Sequence, residues 1–473
     1  MKKGEVDLLH SDIKINMLRF AAPLFLGQLF QQLYNMVDAL VVGKFVGVEA
    51  LAAVTSTGSL TFLLVGFFGG VFTGVGVVIA RCFGAGDDKK VSRAVGTAVS
   101  FALISGVVMT LIGTLLSPLI LHLMDTPAEV FGDAVDYIRT YFSGIIFVIL
   151  YNAANGIFQA IGDSRRPLYY LIISSLTNVV LDLVFVKNLG WGVRGAAVAT
   201  VISQGLSVVL AFARLARVDT AYRVTPKVLC IDRELLKQMI RIGLPSGVQN
   251  SVIAFANVIV QSSVNSFGAS AVAGNGAYIK IEGFAFIPIN AFTSAVTTFV
   301  SQNIGAGQFD RVKKGARFGV LFACACAAVI GIVFYILAPQ IVGFFVKADE
   351  TAPADTGPAV VETVEEDPIS SEDAIASGVA RGRVCSLFYF LLALSHGIAA
   401  VCRGAGFSKV PMYTMLGSWC VFRVSYIETV THLFHNITYI YMAYPITWAM
   451  SSVIFLIYYY KSHWLEKVQK QKI

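Results

Sequence analysis

The chain has 473 residues, of which 56% are hydrophobic and only 14% are charged. A composition this apolar excludes a soluble core and indicates a polytopic membrane protein. The formal net charge of +7 does not require a nucleic-acid partner, because most Lys and Arg residues fall in alternate loops. The seven scattered cysteines and six dispersed histidines predict neither a disulfide framework nor a metal centre.

Twelve apolar segments follow one another along the chain, and each is long enough to cross a bilayer as a helix. The predicted spans are residues 17–43, 50–80, 94–117, 134–158, 168–187, 195–216, 242–266, 271–302, 318–345, 384–402, 412–433 and 440–460. The loops after even-numbered spans are basic, whereas the others are short or acidic. By the positive-inside rule, this pattern predicts a multi-pass protein of the cell membrane with both termini in the cytoplasm.

The second half of the chain repeats the first. Residues 83–86 (Phe-Gly-Ala-Gly) match 304–307 (Ile-Gly-Ala-Gly), 221 residues later, and 161–167 match 405–411, 244 residues later. Each half holds six spans, so both halves enter and leave the membrane on the same side. We therefore predict an all-α fold of two six-helix lobes related by a pseudo-two-fold axis along the membrane normal. The predicted lobes are residues 1–222 and 223–473.

The longer spacing in the second half comes from an acidic stretch between the ninth and tenth spans. Residues 348–380 are rich in Pro, Ala, Thr and acidic side chains and poor in aromatics, so they cannot bury a core. We predict a disordered external loop there. A solvated tether without a function is favoured over a loop that gathers cations.

Acidic side chains interrupt two spans of the first half. Asp38 lies near the far end of the first span, with Gln31 and Tyr34 on or near the same helical face. A carboxylate at that depth costs roughly 2.5–3.5 kcal/mol on insertion scales, unless it only reaches the interface. In the fifth span, Asp182 follows Asn178 by one turn, so both side chains share a face. Two membrane carboxylates with amide and hydroxyl neighbours favour a cation or proton site.

The second half carries other charges within its spans. Lys280 and Glu282 lie inside the eighth span and Arg423 inside the eleventh, where each needs a partner or water. Glu282 and Arg423 form a candidate ion pair. A buried pair that fixes packing and a contact with substrate are equally compatible with the sequence.

Pro23 lies in the interior of the first span. A proline there removes a backbone hydrogen bond and permits a kink. We hypothesise that this kink is a hinge that lets the span bend when Asp38 changes charge. A static kink is an equally good interpretation.

Several motifs together resemble a known transporter family. Residues 32–38 (Gln-Leu-Tyr-Asn-Met-Val-Asp), 159–164 (Gln-Ala-Ile-Gly-Asp-Ser), 192–197 (Gly-Val-Arg-Gly-Ala-Ala) and the two Gly-Ala-Gly loops are similar to those of the multidrug and toxic compound extrusion family. The likeness is closest to its bacterial and archaeal DinF-like branch and covers essentially the whole chain apart from the acidic loop. It implies two six-helix lobes, alternating access, and export of organic cations driven by sodium or protons.

The resemblance also implies a site in the first lobe. Members of this branch bind the coupling cation with a first-helix Asp, a fourth-helix Asn, an Asn-x-x-x-Asp pair and a sixth-helix Thr. The matching residues are Asp38, Asn155, Asn178, Asp182 and Thr200, and Gln31 and Tyr34 match residues of the adjacent substrate pocket. These oxygen ligands suit a hard monovalent cation, and the carboxylates could instead take a proton.

The repeat indicates that these polar residues have a task beyond folding. At the spacings given above, the second-half equivalents of the two acids and two asparagines are Ile259, Ala399, Phe422 and Tyr426. The scaffold is therefore duplicated, whereas the acidic site is not. This asymmetry favours a functional interpretation.

We predict a secondary active multidrug exporter that exchanges cationic or amphiphilic small molecules for Na⁺ or H⁺. It would need no cofactor, bind no nucleic acid and work in the lipid bilayer as a monomer. A lipid-linked sugar flippase of related fold is the main alternative, since Lys280 and Arg423 could serve an anionic headgroup. A channel or receptor fits the duplicated halves less well, and no nucleophile, metal or phosphate motif indicates an enzyme.

Overall fold

The structure of the chain is a computed structural model that describes residues 5–45, 48–124, 126–351, 370–434 and 436–470. Side chains are described for these residues except 37–45, 48–57, 59, 62, 129 and 347–351. Asp38 therefore has a described backbone, whereas its side chain lies outside the described residues.

Within those ranges the fold is built from α-helices. They are α1 (Ile13–Phe45), α2 (Val48–Gly84), α3 (Asp88–Leu123), α4 (Ala128–Ser143), α5 (Ile145–Ala160), α6 (Arg165–Asp182), α7 (Gly192–Arg217), α8 (Arg233–Asn265), α9 (Ala269–Gly305), α10 (Phe309–Thr351), α11 (Ser371–Cys385), α12 (Tyr389–Gly404), α13 (Lys409–Met415), α14 (Arg423–Phe434), α15 (Ile437–Lys461) and α16 (Trp464–Lys470). A π-helical segment, Leu183–Asn188, continues α6, and another, Leu416–Phe422, joins α13 to α14. Each of the twelve predicted spans corresponds either to a single helix or to helical segments that follow one another directly, as α4–α5, α11–α12 and α13–α14 do. By length and apolarity, nine segments of the described chain could cross a membrane, or ten if the bent pair α4–α5 is one span.

Short polar side chains set several helix starts. The Asp87 carboxylate accepts a hydrogen bond from the backbone N–H of Lys90 at the start of α3, and Asp232 caps α8 in the same way. Between their ends, the helices expose large apolar side chains outward, as lipid contact requires. Examples are Leu111, Leu115, Leu176, Val329 and Ile336.

Both predicted ends of the acidic loop are wrong. Helix α11 begins at Ser371, and α10 continues to Thr351, so both ends of the predicted disordered loop 348–380 are helical. The Ser370 hydroxyl caps α11. Two of the acidic side chains that suggested a loop lie in the first turn of this helix, where they interact favourably with the helix dipole. The remainder of that loop, 352–369, lies outside the described residues. The fourth predicted span is bent by 45° at Gly144.

Two separate hydrophobic cores define the two lobes. One core is built mainly from α2 to α7 and the other from α9 to α16. The first helix of each lobe starts in the opposite core: Met17 and Phe20 of α1 pack in the second core, whereas Met239 and Ile242 of α8 pack in the first. The chain boundary predicted at 222/223 falls in the connection between α7 and α8.

One end of the molecule, which we call the basic face, holds the described N-terminus and the α2–α3, α5–α6, α7–α8, α9–α10 and α12–α13 turns. Two hydrogen bonds here join a helix of one lobe directly to a helix of the other. Arg81 Nη2 donates to the Gly404 carbonyl at 3.1 Å, and Gln302 Nε2 donates to the Ala160 carbonyl at 2.7 Å. Residues 81 and 302 are 221 positions apart and 160 and 404 are 244 apart, so the repeat relates the two bonds by its two-fold symmetry. We call these four residues the basic-face gate.

Glycines let the backbones of the two lobes meet beside this gate. A Cβ atom on Gly84 would lie 2.0 Å from the Gln302 carbonyl oxygen, and one on Gly305 would lie 2.1 Å from that of Arg81. Further along, a Cβ on Gly74 of α2 would lie 2.3 Å from the backbone nitrogen of Gly243 of α8. Contacts this short exclude any side chain, so the lobes are closed against each other on this half of the molecule.

The segment before α1 spans the closed gate. The Val6 N–H donates to the Gly162 carbonyl of the first lobe at 3.0 Å. Two residues later, the carbonyl of the buried Leu8 accepts from Asn303 and Arg311 of the second lobe, both at 3.2 Å. Tyr222 donates to the Glu5 carboxylate at 2.6 Å, and burial together with this bond raises the pKa of Tyr222 to about 12.

Candidate functional site

The first lobe contains a cavity of about 680 Å³ between α1, α5, α6 and α7. Five of the eight residues predicted for the site, its pocket and its hinge in the first lobe line this cavity. Those lining it are Pro23, Gln31, Tyr34, Asn155 and Thr200. Gln31 and Tyr34 reach it from one face of α1, as their spacing predicts. We call this space the N-lobe cavity.

Asn178 and Asp182, also predicted for the site, do not line this cavity; they lie on the buried face of α6. That helix exposes apolar side chains and buries polar ones: Leu176 is 64% exposed, whereas Asn178 and Asp182 are 1% and 0% exposed. Ser174, one turn earlier, continues the buried face and lines the cavity. A membrane helix whose interior face is polar is typical of an ion or substrate path. The π-helical segment begins directly after Asp182, and such segments often occur at functional sites.

The side chains around this face offer mainly oxygen atoms. Asn155 Oδ1 accepts from Gln159 Nε2 at 3.0 Å, and Thr200 Oγ1 donates to the Ala196 carbonyl at 3.0 Å, so both oxygens keep lone pairs. Asn178 is buried, and no described residue forms a hydrogen bond with its side-chain amide. A buried amide without partners costs about 1–3 kcal/mol, and a cation bound to its oxygen would offset part of that cost. Carboxylate, amide and hydroxyl oxygens fit Na⁺, and the carboxylate alone would accept a proton.

The side chain of Asp38 lies outside the described residues, so its place in this site stays a prediction. Its helix, α1, packs against α6, which carries Asn178 and Asp182. The structure therefore brings the supporting helices together. The sodium and proton alternatives both remain open at this point.

A second cavity, of about 590 Å³, lies between the lobes directly above the basic-face gate. We call it the central cavity. It shares Gln28, Asn152, Asn155 and Gln159 with the N-lobe cavity, so the two spaces adjoin. Its other walls are mostly uncharged and polar, from Thr and Ser of α9 and amides of α8. A molecule in this cavity would contact both lobes.

The charged residues predicted in the second lobe form a buried network instead of a pocket wall. Glu282 Oε2 accepts from Arg381 Nη2 at 2.8 Å, and Arg381 also donates to Asn275. The predicted pairing of Glu282 with Arg423 is wrong. The partner, Arg381, belongs to a part of α11 that the sequence assigned to no span, because the acidic composition before it indicated a loop.

Arg423 belongs to the same network through an aromatic ring. Its Nε and Nη2 atoms donate to Thr447 Oγ1 at 3.2 and 2.7 Å. The Tyr444 ring lies between two guanidinium groups, 4.6 Å from that of Arg423 and 4.8 Å from that of Arg381. Lys280 lies two residues before Glu282 on α9 and is only partly buried. The arrangement favours the packing role for Glu282 and Arg423.

A family model described as MatE matches residues 23–184 and 245–356, which together make up more than half of the chain and fall in both lobes. The chain belongs to the MatE family. This MatE protein is 32% identical over 343 residues to the Probable multidrug resistance protein YoeA of Bacillus subtilis, covering 71% of this chain and 74% of that protein. It is 24% identical over 422 residues to the Probable multidrug resistance protein NorM of Thermotoga maritima, covering 86% and 84%.

Solved structures confirm the fold of this MatE protein. One of them, described as the outward-facing conformation of a multidrug resistance MATE family transporter of the MOP superfamily, superposes with a TM-score of 0.86 over 100% of both chains at 22% identity. The predicted family, the two-lobe helical fold and the multi-pass membrane class are thus confirmed. At this identity the likeness concerns the fold alone.

Sequence analysis missed two residues that the structure makes prominent, Arg381 and Arg403. Arg381 was hidden by the loop-like composition before it. Arg403 lines the central cavity, but it was counted with the basic loop that follows. The repeat could have indicated Arg403, because the 244-residue spacing pairs it with Gln159 of the polar fourth span.

Proposed function

We propose that this MatE protein is a secondary active multidrug exporter that exchanges small amphiphilic or cationic molecules for Na⁺ or H⁺. The observation that carries the proposal is the polar buried face of α6, which carries Asn178 and Asp182 and reaches, at Ser174, a cavity large enough for a drug-sized molecule. The names of the relatives, multidrug resistance proteins, support the same function.

We place the basic face in the cytoplasm of the cell membrane, in accordance with the positive-inside rule. With this orientation the closed gate lies on the cytoplasmic side, and the conformation faces outward. The cavities would then communicate with the exterior, where a coupling ion enters and a substrate leaves. Closure of the outer half and opening of the gate would complete one cycle of alternating access.

Ion binding would act on substrate through shared walls. A cation or proton at Asp182, joined by Asp38, neutralises charge beside the N-lobe cavity. Neutral walls hold a cationic substrate less tightly, so the ion-bound outward state releases it. Exchange requires that ion and substrate stabilise different states, and the linked cavities provide a route for that coupling.

The proposal is tested with purified protein in lipid vesicles. Efflux of a cationic dye is measured under an imposed sodium gradient and, separately, under a proton gradient. Asp182→Asn should remove the dependence on the coupling ion while the protein stays folded in the membrane. Asp133→Asn, which changes an exposed carboxylate of α4, is the matched control and should behave as wild type. Ion-dependent efflux by the Asp182→Asn variant would refute the site.

We do not favour the flippase alternative. It depended on Lys280 and Arg423 as contacts for an anionic lipid headgroup. Arg423 is 1% exposed and is held by Thr447 and Tyr444, so it is not available to a headgroup. Accumulation of a lipid intermediate in cells that lack the protein would revive this alternative.

A further inference from the structure

The C-lobe wall of the central cavity carries a guanidinium that the proposed ion coupling does not use. Arg403 lies in the last turn of α12, directly before the gate residue Gly404, and its side chain lines the cavity. Within the described chain, this guanidinium has neither a hydrogen bond nor an ion pair. A guanidinium stays protonated at physiological pH, so it places a positive charge on the cavity wall.

Two structural roles do not account for this arrangement. A basic side chain in the last turn of a helix stabilises the helix dipole, but that role does not require the side chain to line a cavity between lobes. The gate does not need it either. Arg81 and Gln302 make the hydrogen bonds that cross between the lobes, and Arg403 makes none of them.

The surroundings of Arg403 leave its charge without compensation. Among the described residues that line the central cavity, none is Asp or Glu. The other titratable group there is the imidazole of His396, two turns earlier on the same face of α12. A cation on a cavity wall that has no carboxylate to neutralise it attracts anions.

The repeat shows that the charge belongs to one side of the cavity only. At the 244-residue spacing, Arg403 corresponds to Gln159 and His396 corresponds to Asn152, and all four side chains line the cavity. The N-lobe wall is therefore built from amides, whereas the matching C-lobe positions carry basic groups. The N-lobe also holds the buried carboxylate of Asp182. Among the described residues that line the two joined cavities, Arg403 is therefore the group with a full charge, and it lies on the C-lobe wall.

We propose that Arg403 binds a carboxylate or similar oxyanion carried by the transported molecule, and that this residue sets a preference of the exporter for substrates that bear such a group. This inference rests on the proposed export of small molecules and specifies its substrate class. The guanidinium offers a planar pair of donors that matches an oxyanion, and Gln159 on the facing wall can complete the set. In the inward-facing state, the same residue would lie at the cytoplasmic mouth, where it would meet the substrate first.

The experiment uses two dyes that differ in one group, a xanthene dye with a free carboxylate and its methyl ester. Binding of each to the purified full-length protein is measured by fluorescence anisotropy. Wild type should bind the acid about tenfold or more tightly than the ester, as expected for a charge-assisted hydrogen bond. Arg403→Gln, which introduces the residue of the matching repeat position, should remove that preference and leave ester binding unchanged. Arg403→Lys should keep part of it.

The control is Lys409→Gln, which removes an exposed positive charge at the start of α13, outside the cavity. It should retain the preference for the acid. Equal binding of the two dyes by wild type, or an unchanged preference in Arg403→Gln, would overturn the proposal. So would an equal loss of binding of both dyes in that variant. Failure of wild type to export either dye from vesicles would instead refute the proposed function, since the binding comparison stands without transport.

Discussion

Gly84→Ala should open the basic-face gate. A methyl group at this position would lie 2.0 Å from the Gln302 carbonyl oxygen, 2.7 Å from its carbonyl carbon and 2.9 Å from its Cα. An ordinary contact between such atoms is about 3.5–4.0 Å, so α2 and α9 must separate by roughly 1–1.5 Å in the closed state. Backbone atoms cannot rotate away as a side chain can, and overpacking of this kind costs about 1–3 kcal/mol.

That cost falls on the closed conformation alone, because opening the gate separates Gly84 from Gln302. The ratio of open to closed molecules should therefore rise by about 5- to 150-fold. The two lobes have separate cores, so we expect the variant to stay folded.

The assay measures the distance between spin labels on Lys89 and Lys313, which are exposed on opposite lobes at this face. Cys230, an exposed cysteine, is first replaced by serine. Gly69→Ala is the matched control, since a Cβ there has nothing within 4 Å. A distance distribution in Gly84→Ala that equals those of wild type and of the control would refute the reasoning.

Three further predictions concern single contacts. Glu282→Gln should lower the melting temperature of the purified protein, because it leaves the buried Arg381 without its charge partner at a cost of about 3–5 kcal/mol. The double variant Glu282→Gln/Arg381→Gln should recover much of the lost stability. An unchanged melting temperature in the single variant would contradict the pairing. Tyr222→Phe removes the hydrogen bond to Glu5 and should destabilise the docking of the N-terminal segment by roughly 1 kcal/mol. We expect faster hydrogen exchange of residues 5–12. Exchange at the wild-type rate would show that this bond does not stabilise the segment. Pro23→Ala should slow transport or change its ion dependence if Pro23 is a hinge, and vesicles with wild-type rates and ion dependence would identify a static kink.

The local polar pattern of α6 was predictable from the sequence, whereas the charge partners across helices were not. Asn178 and Asp182 share a face because they are four residues apart, and the apolar residues around them leave only that face to be buried. Glu282, in contrast, has its partner 99 residues later on another helix. No periodicity connects such positions, and the acidic stretch before Arg381 concealed the start of its helix.

The gate shows a second limit and a second strength of sequence reasoning. Arg81 and Gln302 donate their hydrogen bonds to backbone carbonyl groups. Every residue has such a group, so the sequence does not indicate which residues accept these bonds. Once one bond is known, however, the repeat spacing identifies the other. Arg403 was within reach by the same comparison, because an arginine that replaces a glutamine at an equivalent cavity position breaks the duplication.

The exchange of starting helices between the two cores has a consequence for how such a molecule could arise and how it assembles. A half-length ancestor could not have filled its own interior, since the beginning of its first helix would have belonged to a second copy. Two identical halves would have had to exchange the starts of their first helices before either interior was filled. During synthesis, the core of the first lobe therefore stays incomplete until α8 has been made.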